Sequence, residues 1–158
     1  MAKYLTVFLV SMVPIIELRG AMVMAMAPGM DIPFPLALLI CVLGNMLPVP
    51  FIYFFARKVL VWGSNKKYIG KFFRFCLDKG HHGGQKLVAK SGRGGLFVAL
   101  MLFVGIPLPG TGAWTGTLAA SFLDMGIKST VASVSLGVII AGLIMGLAST
   151  GVFNIIGI

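Results

Sequence analysis

The hydrophobic pattern of the chain consists of four long apolar segments separated by polar stretches. Apolar stretches of this length are typical of segments that enter or cross a lipid bilayer. The pattern predicts an all-α integral membrane protein forming a single domain, residues 1–158, in which a polar region, residues 63–95, separates two halves. The four apolar segments are residues 4–28, 33–62, 96–122 and 129–157.

The first apolar segment carries an acid and a base near its middle, Glu17 and Arg19. Charged residues inside such segments are costly and usually functional. Pro14 lacks an N–H donor and clashes with the preceding turn, so we expect irregular backbone from Pro14 to Gly20. Residues two apart on a helix point to different sides, so Glu17 and Arg19 can face the same side only if the chain unwinds there. Irregular backbone at membrane depth needs protein or water to cover it.

The third apolar segment repeats this arrangement. Pro107 aligns with Pro14 at an offset of 93 residues, and each proline interrupts an apolar run. Paired interrupted segments in the two halves of a membrane protein point to a binding site between them. The alternative is that both segments are kinked spanning helices without a transport role. The second segment is also expected to kink. The predicted helix-breaking residues are Pro14, Pro48, Pro107, Pro109, Gly110 and Gly112.

Several uncharged polar side chains accompany these breaks, and each has two interpretations. Asn45 is a lone amide in the second segment that either makes an interhelical hydrogen bond or lines the site. Thr111 and Thr115 either complete a polar cavity or bond to nearby helix carbonyls. Trp114 either stacks on a substrate or packs within the protein. With Glu17 and Arg19, these four residues form the predicted site for a substrate or coupling ion.

Two topologies are compatible with the four segments. In one, all four cross the membrane and both termini are cytoplasmic. In the other, segments 4–28 and 96–122 are re-entrant hairpins, each followed by a transmembrane helix, residues 33–62 and 129–157. The two halves then form inverted repeats. The paired proline breaks favour the second topology.

Composition and charge narrow the class of protein. Hydrophobic residues make up 58% of the 158 residues, which excludes an ordinary soluble domain. Of the 13 basic residues, most lie between Arg57 and Arg93, and the formal net charge is +9. Flanking apolar segments favour a membrane surface over nucleic acid as the partner. An amphipathic helix is expected over residues 65–79, cytoplasmic by the positive-inside rule, in a multi-pass protein of the inner membrane. Its predicted contacts with anionic lipids are Lys66, Lys67, Lys71 and Arg74.

The sequence offers little catalytic or metal-binding chemistry. Its two cysteines, Cys41 and Cys76, have no metal-ligand spacing and predict no disulfide framework. The apolar segments contain no serine–histidine or paired-carboxylate arrangement. We therefore expect neither an enzyme, nor a metal, nor a cofactor. Four short segments form a small bundle, which is compatible with a homodimer.

The two proline-centred stretches resemble a known family. Residues 14–21 (PIIELRGA), Gly44-Asn45 and residues 107–114 (PLPGTGAW) are similar to the putative small multidrug export protein family, which looks like a compact relative of the DedA/VTT superfamily. The resemblance implies facing re-entrant hairpins and ion- or proton-linked transport, and it assigns the acid and base of the first hairpin to Glu17 and Arg19. In the wider superfamily it implies translocation of lipid phosphates. Gly110 and Thr111 stand where that superfamily suggests an acid.

The resulting hypothesis is a transporter that moves a small or lipid-linked substrate through a midplane site around Glu17 and Arg19, coupled to protons or small ions. The alternative is a structural or lipid-organising membrane protein without turnover. Replacement of Glu17 by glutamine distinguishes the two hypotheses. Loss of transport in a variant that still folds supports the transporter.

Overall fold

The computed structural model describes residues 2–65, 75, 89, 92, 94–108 and 110–156. Within these residues all regular structure is helical, which confirms the predicted all-α class. Nearly all of the predicted amphipathic helix lies outside the described residues, as do Pro109 and the four basic residues assigned to lipid contacts.

The helices follow one another along the chain and are numbered here in order. They are α1 (Ala2–Met12), α2 (Glu17–Ala25), α3 (Phe34–Met46), α4 (Pro48–Ser64), α5 (Gly94–Gly105), α6 (Ala113–Phe122) and α7 (Ile127–Ile156).

Two stretches of helix, Phe34–Val59 and Ile127–Val152, are long and apolar enough to cross a membrane. The first contains α3 and most of α4, which are separated only at Leu47. Pro48 cannot donate to the helix ladder, so the junction falls beside it. The architecture is consistent with a membrane protein.

The first apolar segment is interrupted at residues 13–16, which we call the first break. α1 ends at Met12, and α2 begins at Glu17. Ile15 and Glu17 have φ angles of +81° and +50°, which residues with a side chain rarely adopt. The break is shorter than the predicted Pro14–Gly20, because the residues after Glu17 return to helical geometry. Two residues with positive φ are thus sufficient to redirect the chain around Pro14.

The third apolar segment is interrupted at residues 106–112, which we call the second break. The helix before the break, α5, ends at Gly105, and the helix after it, α6, begins at Ala113. Gly110 has a φ of +80°, and Gly112 has a φ of +155° with a ψ of −172°, a region open essentially to glycine alone. This stretch contains Pro107, so both breaks include one of the aligned prolines.

The short helices pack between the long ones. α2 contacts α1, α3 and α7, whereas α6 contacts α4 and α7. α5 lies against α7, where the Ser133 hydroxyl donates to the Phe97 carbonyl at 2.6 Å. Each half therefore places the helix that follows its break against the long helix of the other half, as well as against its own.

Two glycines permit close helix crossings. A Cβ added at Gly44 in α3 would lie 2.5 Å from the carbonyl oxygen of Phe8 in α1. A Cβ added at Gly137 in α7 would lie 2.6 Å from the carbonyl oxygen of Met101 in α5. Contacts this short with backbone cannot be relieved by a side-chain rotation, so α1–α3 and α5–α7 approach closely only because these positions are glycine.

Candidate functional site: the junction of the two helix breaks

Glu17 joins the first break to the start of α6. Its side chain is buried, with 5% of the residue exposed, and its Oε1 accepts a hydrogen bond from the backbone N–H of Trp114 at 3.1 Å. The first amides of a helix have no partner within the helix, and a negative charge there is favoured by the helix dipole. The Glu17 carboxylate therefore satisfies the beginning of a helix from the other half of the chain.

Gly112 makes this contact possible. A Cβ built at Gly112 would overlap the Glu17 carboxylate. The residue also adopts a backbone conformation that other residues avoid, as described above. Gly112 was predicted only as a helix breaker, and the structure shows that it also leaves the space that the carboxylate fills.

Arg19 binds the second break directly. Its guanidinium donates to the carbonyl oxygen of Ile106 at 3.3 Å, to that of Leu108, and to the Thr111 hydroxyl at 2.6 Å. The Thr111 hydroxyl in turn lies 2.9 Å from each of these two carbonyl oxygens. The last carbonyls of a helix lack intrahelical donors. Arg19 supplies donors where α5 ends, and its planar group suits this role because it offers several N–H bonds at fixed angles.

Trp114 and Thr115 have structural contacts. The Trp114 indole N–H donates to the carbonyl of Met12, the last residue of α1, at 3.2 Å. The Thr115 hydroxyl lies 3.4 Å from the carbonyl oxygen of Gly112 one turn earlier. Trp114 therefore connects α6 to the two helices that flank the first break: to α2 through its amide and to α1 through its indole. This contact matches the second interpretation of Thr115, in which its hydroxyl bonds to a nearby helix carbonyl.

Asn45 and a small cavity complete the junction. The cavity is lined by Asn45, Glu17 and Arg19 together with Gly112 and apolar residues of α2, α5, α6 and α7, and it has room for about one water molecule. Asn45 is 1% exposed, and its Oδ1 has no hydrogen-bond partner within the described residues. A buried polar atom without a partner typically costs about 1–3 kcal/mol. One interpretation of Asn45 was an interhelical hydrogen bond. Its Oδ1 accepts no such bond from the described residues in this conformation.

Glu17 and Arg19 are therefore brought to one cavity but not to each other. Within the described residues, an ion pair shorter than 4.0 Å joins Arg57 to Asp124 and none joins Glu17 to Arg19. The two residues lie in the first turn of α2, where side chains two apart diverge. Each instead contacts a different part of the second half: the start of α6 or the end of α5.

A second polar cluster was not anticipated from the sequence. The Tyr53 hydroxyl in α4 donates to the Met125 carbonyl at 2.6 Å, and Arg57 pairs with Asp124 at 2.7 Å. Together they tie α4 to the turn between α6 and α7. The only signal in the sequence is that Arg57 and Asp124 lie near the ends of apolar segments.

Comparison with known proteins identifies the family. The family model described as "Putative small multi-drug export protein" matches residues 17–144. This range begins at Glu17 and contains Asn45 and the whole second break. No curated protein and no solved structure matches the chain. Because the family model covers most of the sequence, the chain belongs to the family of putative small multi-drug export proteins.

Proposed function

We propose that this protein is a transporter of the inner membrane that exports a small or lipid-linked substrate by coupling its movement to protons or small ions. The observation that carries the proposal is the meeting of the two helix breaks at Glu17, Arg19 and the start of α6. Transporters commonly place substrate and ion sites where interrupted helices expose charged ends. The family name and the two long apolar helices support membrane export.

The proposed architecture is an inverted repeat in which each half is a re-entrant hairpin followed by a transmembrane helix. Equivalent contacts at an offset of 93 residues support a repeat. Gly44 and Gly137 are 93 residues apart, and so are Phe8 and Met101, whose carbonyls approach those two glycines. The close packing of α1 against α2 supports a hairpin in the first half.

The turns that follow α2 and α6 support the same repeat. Asp31 and Asp124 are 93 residues apart, and their φ angles are +46° and +56°. Aspartate tolerates this conformation better than most residues, because its short side chain can bond to nearby backbone. Two turns with the same residue in the same unusual conformation are expected if the halves share one fold.

The contacts at the junction suggest how substrate movement could be gated. Glu17 and Arg19 are held by the second half, so a movement that separates the halves releases a carboxylate and a guanidinium together. The cavity between them admits about one water in this conformation, so a larger substrate requires such a movement. Under this proposal an organic cation binds preferentially near Glu17, and an anionic group binds near Arg19.

The proposed orientation places residues 63–95 in the cytoplasm, where Lys66, Lys67, Lys71 and Arg74 contact anionic lipids. Under the hairpin topology the C-terminus is external, whereas four spanning segments would make it cytoplasmic. A reporter active in only one compartment, fused to the C-terminus, separates these arrangements. External activity supports the hairpins, and cytoplasmic activity contradicts them.

The test of the proposed function is Glu17→Gln in proteoliposomes loaded with ethidium as a probe cation. Glutamine keeps an oxygen that can accept from the Trp114 amide, so the fold is expected to persist while ethidium transport driven by a pH gradient is lost. Asp31→Asn is the matched control: it also removes one carboxylate, and asparagine tolerates the positive φ of +46° found there. Wild-type transport in Glu17→Gln would contradict the proposal.

The second candidate function is a structural or lipid-organising role without turnover. One observation favours it: Arg19 is already bound by three acceptors of the second break, and the cavity has room for only about one water molecule. This candidate predicts that Glu17→Gln and Asp31→Asn are alike in transport assays and differ only in unfolding free energy.

A further inference from the structure

The unpartnered oxygen of Asn45 is the feature of the junction that its other contacts leave unexplained. Asn45 projects from α3, is 1% exposed, and lines the same cavity as the Glu17 carboxylate. Its Oδ1 accepts no hydrogen bond within the described residues. Glu17 and Asn45, a carboxylate residue and an amide residue, therefore line one cavity that has room for about a single water molecule.

The missing partner must be a hydrogen-bond donor or a cation. Ca²⁺ and Mg²⁺ take six or more oxygen ligands. Among the side chains that the structure describes, the cavity lining includes such oxygens only in Glu17 and Asn45, and the rest of that lining is Arg19 and apolar residues or glycine. Arg19 directs its guanidinium to the second break. A proton needs only one acceptor and adds almost no volume, so it fits the cavity where a hydrated cation does not.

We propose that Asn45 is a positioning residue that accepts the hydrogen bond of Glu17 when the Glu17 carboxyl group carries a proton. This inference rests on the proposed function, in which Glu17 takes up and releases the coupling proton. The charged carboxylate accepts from the Trp114 amide at the start of α6. The protonated group is neutral and also a donor, and Asn45, whose Oδ1 has no partner among the described residues, lines the same cavity and offers an acceptor.

The proton cycle follows from these two positions. A proton from water bonds to a Glu17 carboxylate oxygen, the charge that the α6 dipole favours disappears, and the new O–H donates to Asn45 Oδ1. When the proton returns to water on the other side, the carboxylate regains its charge and its bond to Trp114. Asn45 thus holds the neutral state, and the helix start holds the charged state.

The groups facing Glu17 from the neighbouring helices do not compete for this role. Arg19, on the same helix, is the one other charged side chain of the described cavity lining. From α5 and α7 the lining is apolar, with Val104, Val138 and Ala141. The second break contributes Gly112 and α6 contributes Ala113, and the nearby Trp114 amide is a donor that cannot receive the O–H.

Infrared difference spectroscopy between acidic and alkaline pH, on the full chain in lipid nanodiscs, tests the proposal. The chain contains a single glutamate, so the carboxylic acid C=O band that disappears in Glu17→Gln belongs to Glu17. Asn45→Leu keeps a similar side-chain size but removes the acceptor, so we expect this band to shift to higher frequency. Thr115→Val is the matched control: it removes a hydroxyl with only a local contact, and the band should not move.

The outcomes separate this inference from the proposed function. A band at the same frequency in wild type and Asn45→Leu overturns the role of Asn45, even if Glu17→Gln abolishes ethidium transport. Unchanged transport in Glu17→Gln overturns the proposed function whatever the spectrum shows. If Asn45→Leu does not fold, Asn45→Ala removes the same acceptor without adding bulk. In the folded variant we expect proton-driven transport to fall about tenfold, the effect of losing one hydrogen bond.

Discussion

Replacing Gly112 by alanine is the most informative perturbation of the junction. The substitution has two separate costs. A side chain at φ +155° forces a conformation that typically costs about 1–3 kcal/mol. The added methyl group would also overlap the Glu17 carboxylate and displace it from the Trp114 amide. Losing a hydrogen bond to a charged group costs about 1.5–3 kcal/mol. We therefore expect Gly112→Ala to lower the unfolding free energy by about 2.5–6 kcal/mol.

Gly110→Ala provides the matched control. Gly110 lies in the same break with a φ of +80°, but an added Cβ would meet nothing within 4 Å. It should therefore show only the backbone cost, about 1–3 kcal/mol. The assay is SDS-titrated unfolding of the purified protein in mixed micelles, measured for both variants and the wild type.

A double-mutant cycle with Glu17→Ala isolates the contact. Without the carboxylate, the methyl group at position 112 has nothing to displace, so Gly112→Ala should cost only the backbone part. The coupling between positions 17 and 112 is then about 1.5–3 kcal/mol. Equal losses for Gly110→Ala and Gly112→Ala, or a coupling near zero, would refute the reasoning that the carboxylate occupies the space beside Gly112.

The other predictions concern packing and the cluster at α4. Gly44→Ala and Gly137→Ala should each lower the unfolding free energy by about 1–3 kcal/mol, because the added methyl group meets a backbone carbonyl. Gly151→Ala is the control and should not destabilise the protein, because a methyl group there meets nothing within 4 Å. Similar unfolding free energies for all three variants would contradict the close helix crossings. Tyr53→Phe should cost about 1–3 kcal/mol by leaving the buried Met125 carbonyl without this donor, and an unchanged unfolding free energy would show that the bond does not form in lipid.

Local sequence signals predicted the elements of this fold. Apolar segments bounded by polar turns gave the helices, and the inability of proline to donate marked Pro14, Pro48 and Pro107 as points where the helices are interrupted. The first break is shorter than predicted because a new helix already begins at Glu17. These features depend on neighbours within a few residues, which is why the pattern revealed them.

The site depended on contacts that no local pattern contains. The sequence indicated Glu17 and Arg19 as candidate site residues, because charges inside an apolar segment are costly and usually functional. It did not reveal that Glu17 binds an amide 97 residues away or that Arg19 binds a hydroxyl 92 residues away. Such pairs are set by how the helices pack. For the same reason, only the folded structure shows that Asn45 Oδ1 has no hydrogen-bond partner among the described residues.

The central claim is that the Glu17 carboxylate, at the start of α2, binds the start of α6 in the second half. Solid-state NMR in lipid bilayers can measure this directly, because the chain has a single glutamate and two tryptophans. With ¹³C at the glutamate carboxyl carbon, ¹⁵N in tryptophan and Trp62→Phe to leave one tryptophan, dipolar recoupling reports the distance between Glu17 and the Trp114 amide. The account predicts strong dephasing, consistent with an oxygen-to-nitrogen distance of 3.1 Å. Absence of measurable dephasing in the folded, lipid-embedded protein would contradict it.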